Sequence, residues 1–213
     1  MADSILNAFT VDQYRIGDSQ AILYDRTRTA IFPEGYLGWL YLELKGERYS
    51  NRPGNGTLEN LFCGLGDLSF DNIVAYLAKL PLIIMGKWEG NEFETMGLAF
   101  PTVMNGTPPE RQSFIGYGFL RQYWGSAELE GLAMLGLSLM FQHFGLSAIH
   151  GVRYRENTLT ARFAAQYGFR DDGVVPRYMV RRGVLVDAVV STLMREDFEA
   201  YIKDKLIQVC THG

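Results

Sequence analysis

Six consecutive residues, Gln122-Tyr123-Trp124-Gly125-Ser126-Ala127, carry the strongest chemical signal in the chain. Before them, residues 113–120 are aromatic and branched and read as a strand. After them, Leu129, Leu132, Ala133, Leu135, Leu137, Met140 and Phe141 recur at helical spacing, and the pattern stops at Gly145. A strand entering a helix through small residues leaves backbone N–H groups unpaired at the helix start. Those donors and the helix dipole together form a seat for an anion such as phosphate. Gly125 and Ala127 would let such a group approach the backbone closely. The same six residues also suit an ordinary strand–turn–helix, and the turn alone does not choose between the two.

Further along, His150 lies in an expected strand, 147–153. An imidazole is the side chain whose ordinary titration suits proton transfer near neutrality, although a packed or surface histidine fits the position equally. Asn157 opens an expected short helix that runs to Tyr167 and ends at Gly168, and Asn is a favoured N-cap. Thr160 falls in the first turn of that helix, where its hydroxyl can bond local backbone. His143 sits near a helix C-terminus, a place that favours a cation. Cys63 and Cys210 suggest neither a disulfide framework nor a metal-ligand spacing.

The elements that must position these residues come in a mixed order. Residues 21–24 and 36–44 read as strands around the turn signal Pro33-Glu34-Gly35, and Asn55-Gly56 is a candidate hairpin turn. The first sixty residues are expected to form an appendage containing a β-hairpin, and 61–213 the main domain. Residues 61–68 read as a strand, Ser69 as the cap of a helix through Leu80, and 82–88 and 93–104 as two strands. After the central strand and its helix, 169–180 and 184–193 make a hairpin around Arg182-Gly183, followed by a final helix over 195–206. This order predicts an α+β fold with helices packed on one twisted sheet.

Composition bounds the function. The 213 residues are 47% hydrophobic and 21% charged, as in an ordinary globular protein. A net charge of −4 and a pI near 5.4 give no basic footprint for nucleic acid. The chain starts without a basic n-region or an apolar h-region, and its apolar stretches fall short of a membrane span. A soluble, cytoplasmic protein without a nucleic-acid or membrane partner is the expectation.

Residues 113–195 resemble the GCN5-related N-acetyltransferases, and most closely their Rim-type ribosomal-protein alanine acetyltransferase branch. Gln122–Ala127 matches the family's Gln/Arg-x-x-Gly-x-Gly/Ala pyrophosphate motif at every fixed place. Downstream, Glu156-Asn157-Thr158-Leu159-Thr160-Ala161-Arg162 and Gln166-Tyr167-Gly168-Phe169-Arg170 resemble the family's Glu-Asn-x-x-Ser-x-Arg segment and its Gly-Phe ending. Asp187–Arg195 resembles the last strand of Rim-type members. The resemblance implies a mixed, mostly antiparallel sheet flanked by helices, and acetyl-CoA as co-substrate. It implies that the Gln122–Ala127 turn holds the pyrophosphate, and that Phe119, Leu120 and Arg121 pair with the pantetheine arm where the next strand splays away. Asn157 would bond that arm, and Thr160 would donate to the departing sulfur, where Rim-type members carry Ser or Cys. Many members use a Tyr four residues before the Gly of the Gly-Phe ending, and this chain has Ala164 there. His150 is then the candidate base, with Glu92, Glu94 and Tyr117 as unranked candidates on the acceptor side.

Three functions remain open on these grounds. The leading one is an acetyl-CoA-dependent N-acetyltransferase acting on a primary amine, either a small molecule or a protein N-terminus. The alternatives are a non-catalytic acyl-CoA-binding protein and an assembly module forming a homo-oligomer through residues 1–60.

Overall fold

A computed structural model describes residues 12–16, 19–24, 62, 69–77, 79–89, 92–126, 128–181 and 183–211. The expected strands over 36–44 and 61–68 and the Asn55-Gly56 turn lie outside the described residues, apart from Phe62. The chain divides into two compact units, 1–102 with 116–137, and 103–115 with 138–213. Two strands and one helix run from one unit into the other.

The first unit contains β1 (Asp12–Ile16), β2 (Ser19–Tyr24), helix α1 (Phe70–Leu77), β3 (Leu82–Glu89), most of β4 (Glu92–Asn105) and the end of β5 (Arg111–Phe119). Helix α2 (Glu128–His143) begins here. Strand order is β1-β2-β3-β4-β5, and the β1–β2, β2–β3 and β3–β4 ladders are antiparallel. All six residues of β2 pair with β3, from Ser19↔Lys87 to Tyr24↔Leu82. β1 was not expected: Asp12, Gln13 and Arg15 give it little apolar signal, and such polar residues suit the outer strand of a sheet.

Ser69 starts α1 through its carbonyl, which accepts from Ile73 N at 3.1 Å. The helix stops at Leu77 instead of Leu80. Lys79 and Leu80 bond three residues back, to Tyr76 and Leu77, because the residue before Pro81 is disfavoured in helical backbone. Ile73 and Leu77 are buried, and Phe62 stacks on Phe100 at 5.6 Å beside Tyr76. Gly116 lets the Phe100 ring lie against β5: a Cβ there would stand 2.2 Å from Phe100 Cζ.

In the second unit the order is β5-β6-β8-β7, with β6 (Leu146–Tyr154), helix α3 (Thr158–Gln166), β7 (Arg170–Arg181), β8 (Val184–Met194) and helix α4 (Arg195–Thr211). β6–β8 and β7–β8 are antiparallel, and β5–β6 is parallel. The parallel ladder has four rungs, from Arg111↔Leu146 to Phe114↔His150, and β6 runs four residues further with β8 as its partner. β5 begins at Arg111, two residues before its apolar pattern, because Arg111 pairs with Leu146 and donates to Phe144 O at 3.1 Å. Arg195 ties the start of α4 to the start of β6 and the end of α2 by donating to Leu146 O at 2.8 Å and to Phe141 O. Phe141 meets Phe198 at 5.3 Å, and Tyr167, 1% exposed, meets Tyr201 at 5.9 Å. Tyr167 is therefore a core residue.

Candidate active site

β5 delivers the chain into the motif turn through its buried end, Phe119 and Leu120. Leu120 N donates to Met96 O on β4 at 2.8 Å, so this N–H is spent within the sheet. Arg121–Tyr123 then form one turn of 3-10 helix. The side chain of Arg121 and all of Ala127 lie outside the described residues. Gln122 is exposed.

Tyr123 and Trp124 fasten the turn to its surroundings. Tyr123 donates its hydroxyl proton to Glu94 Oε1 at 2.7 Å, and Trp124 Nε1 donates to Phe119 O at 3.0 Å. The indole thus bonds a carbonyl in the stretch expected to pair with pantetheine. Glu94 also meets Lys87 Nζ at 3.3 Å, and Lys87 reaches Glu89 at 2.9 Å. These two carboxylates hold the Lys87 ammonium well above its ordinary pKa. Glu94, placed only by analogy on the acceptor side, is therefore an anchor of the turn. Tyr117 packs edge-on against Phe119 at 5.4 Å, and the Glu92 side chain is outside the described residues.

Gly125 has φ +87°, the left-handed region that glycine alone enters without strain, and nothing lies within 4 Å of where a Cβ would be. The backbone is open on that side, as an approaching phosphate requires. Glu128 opens α2. Its own backbone N–H, with the Lys87 charge contributing, holds its carboxyl below the ordinary 4.5. A carboxylate already rests at this helix start, where the helix dipole favours negative charge. Gly125 and the helix start fit a phosphate-bearing ligand, and Glu128 would have to yield part of the seat.

The remaining candidates lie in the second unit. Asn157 caps α3, its Oδ1 accepting from Thr160 N at 3.1 Å. Thr160 is exposed on the first turn, and Ala164 stands half-buried on the same helix. His150 occupies the last rung of the β5–β6 ladder. Its Nδ1 lies 2.7 Å from Thr192 Oγ1, its Nε2 lies 3.0 Å from Gln112 Oε1, and its ring meets Phe114 at 5.2 Å. Thr192 Oγ1 in turn donates to Asp172 Oδ2 at 2.5 Å. The neighbouring Asp171 goes to the opposite face, to Arg153 at 2.6 Å and Ser191 at 2.8 Å. Thr192 and Asp172 were missed by sequence reasoning. Only the strand register puts them beside His150, and that register joins residues 42 positions apart.

Among the described residues no group of three His, Cys, Asp or Glu could hold a metal ion, and no helix is long and apolar enough to cross a membrane.

The element order and the ladders within each unit define the α+β fold of the GCN5-related N-acetyltransferases. Solved structures similar to this chain include a ribosomal-protein-S5-alanine acetyltransferase from Vibrio fischeri, with TM-score 0.62 and 14% identity over 88% of this chain and 98% of that one. A spermidine N-acetyltransferase from Vibrio cholerae, in complex with CoA and spermine, gives TM-score 0.63 and 13% identity over 86% and 99%. Mycobacterium smegmatis RimJ, in complex with CoA-disulfide, gives TM-score 0.60 and 18% identity over 88% of both chains. In sequence, the uncharacterized N-acetyltransferase YoaA of Bacillus subtilis (strain 168) is 27% identical over 85 residues. That stretch covers 40% of this chain and about half of YoaA, 48%. No protein-family profile matches the chain.

Proposed function

We propose that this chain is an acetyl-CoA-dependent N-acetyltransferase whose acceptor is a primary amine. The observation that carries the reading is the Gln122–Ala127 motif, set between β5 and α2 with Gly125 left-handed and open at its Cβ position. Support comes from neighbours of the same fold that are acetyltransferases, one of them solved with CoA and spermine. The acceptor is a small polyamine-like amine or a protein N-terminus; among the neighbours' names are a spermidine N-acetyltransferase and a ribosomal-protein-S5-alanine acetyltransferase.

When bound, acetyl-CoA supplies a thioester, an activated acyl group with a thiolate leaving group. The chain's own residues do the rest. The turn's backbone holds the pyrophosphate, and the end of β5 at Phe119 meets the pantetheine arm. Leu120 has both backbone groups bonded and Arg121 lies in the 3-10 turn, so neither offers the strand backbone expected of them. Asn157 bonds the arm while it caps α3. Transfer needs a neutral amine and a stabilised leaving sulfur. His150 takes the amine's proton, and Thr160 donates to the sulfur as the C–S bond breaks. Purified protein, acetyl-CoA and a panel of amines, with free thiol as the readout, test the proposal. Thiol release that needs the amine supports it, and acetyl-CoA binding without release from any amine refutes it.

A further inference from the structure

The row of side chains around His150 crosses four adjacent strands of the second unit: Gln112 on β5, His150 on β6, Thr192 on β8 and Asp172 on β7. Its hydrogens can be assigned by counting. A carboxylate only accepts, and a hydroxyl has one proton to give. At 2.5 Å from Asp172 Oδ2, Thr192 spends that proton on the carboxylate. Thr192 Oγ1 must then accept from His150, 2.7 Å away, so the ring carries its hydrogen on Nδ1. The basic nitrogen of the neutral ring is therefore Nε2, facing Gln112.

Gln112 suits both protonation states of that nitrogen. With its Oε1 3.0 Å from Nε2, the amide accepts from a protonated ring. Turned by half a rotation, it donates an N–H to the neutral one. A fixed donor or a fixed acceptor would favour a single state. Gln112 is exposed, and its amide must swing aside for an ammonium to reach Nε2.

We propose that Thr192 and Asp172 are positioning residues that hold His150 as the Nδ1–H tautomer, so that Nε2 deprotonates the acceptor ammonium. The idea rests on the acetyltransferase reading above. An ammonium gives one proton to Nε2 and becomes a free amine. Its lone pair forms the C–N bond with the thioester carbon, and the C–S bond breaks. The sulfur leaves with the bonding pair and takes the amine's second proton, and His150 releases the first to solvent. Asp172 stabilises the imidazolium through Thr192, the ordinary work of a carboxylate behind a histidine base. It is the one ionisable group, among the described residues, in the hydrogen-bonded row facing the ring. Arg170, two residues away on β7, is paired with Asp197 at 3.0 Å.

Two readouts test this. Nitrogen-edited NMR of the full chain reports the His150 tautomer whether or not turnover occurs. Nδ1–H is expected in the wild type, and Nε2–H, the form a free histidine side chain prefers, in Thr192→Val. Thr192→Ser should keep Nδ1–H. An Nε2–H wild type overturns the relay. In thiol-release kinetics, His150→Gln should lower kcat on the order of a hundredfold. Thr192→Val should lower it about tenfold, with acetyl-CoA affinity unchanged and Thr192→Ser restoring the rate. Rates unmoved by either His150→Gln or Thr192→Val overturn the proton-transfer role and leave the acetyltransferase reading intact. A wild type that binds acetyl-CoA calorimetrically yet turns over no amine overturns both.

Discussion

Substituting Gly125 by Ala separates a backbone effect from a ligand effect, because the structure offers a matched control. Gly125 has φ +87° and Gly183, in the β7–β8 turn, has φ +75°, and neither has any atom within 4 Å of a built Cβ. Each Ala variant therefore suffers only conformational strain, about 1–2 kcal/mol for an L-residue in left-handed backbone. For a chain of this length, each kcal/mol lowers Tm by roughly 2–4 °C. Both variants should melt about 2–8 °C below wild type. Their ligand responses should diverge. At Gly125 the methyl fills the side from which a phosphate reaches the backbone, so a charge-assisted hydrogen bond worth about 1.5–3 kcal/mol is lost. That is a tenfold to hundredfold loss, in order of magnitude, in acetyl-CoA affinity. Gly183→Ala should bind as wild type does. Calorimetric titration of the three proteins decides it. Equal affinities, or equal losses in both variants, would refute the placement of the pyrophosphate at this turn.

Three further outcomes follow from the same geometry. Glu128→Gln should tighten acetyl-CoA binding, since a like charge leaves the helix start. Because Glu128 titrates below its ordinary 4.5 in the folded chain, its stabilisation is present above that value and is lost as pH falls through the lowered one. Melting of the wild type should accordingly fall more steeply on acidification than that of Glu128→Gln, and parallel curves would contradict the capping role. Asn157→Ala should cost about 1 kcal/mol through the lost cap and also weaken acetyl-CoA binding, whereas Thr160→Val should lower kcat with little change in affinity. Unchanged kcat in Thr160→Val strikes Thr160 from the mechanism. Deleting residues 1–60 should give aggregation or a changed oligomeric state in sedimentation, because β3 loses the six-residue ladder it shares with β2. A truncated protein of unchanged mass and melting temperature would count against it.

How much of this was legible depended on the range of the interaction involved. Elements set by local pattern were visible: β3, α2, α3 and the β7–β8 pair fall within a few residues of their expected bounds. The α1 end moved because backbone restriction before Pro81 outweighs the apolar spacing that continues to Leu80. Polar ends and edges escaped notice, as Arg111 in β5 and the whole of β1 show, since pairing rather than burial makes them strands. The motif turn was readable because its chemistry is contiguous. What fastens it was not: Tyr123 reaches Glu94, 29 residues away, and no local rule connects them. His150 was singled out for its residue type and its place in an expected strand bordering the cleft. Its partners Gln112, Thr192 and Asp172 come from three other strands, and only the fold places them in one row.

The central claim is that this chain moves an acetyl group from acetyl-CoA to an amine. Its most direct test is free-thiol release by the purified protein, with acetyl-CoA held saturating and a polyamine or an N-terminal alanine peptide titrated in. The account predicts release that saturates with the amine and an N-acetylated product by mass spectrometry. Acetyl-CoA binding with no thiol released above the amine-free rate, for either class of acceptor, would contradict it.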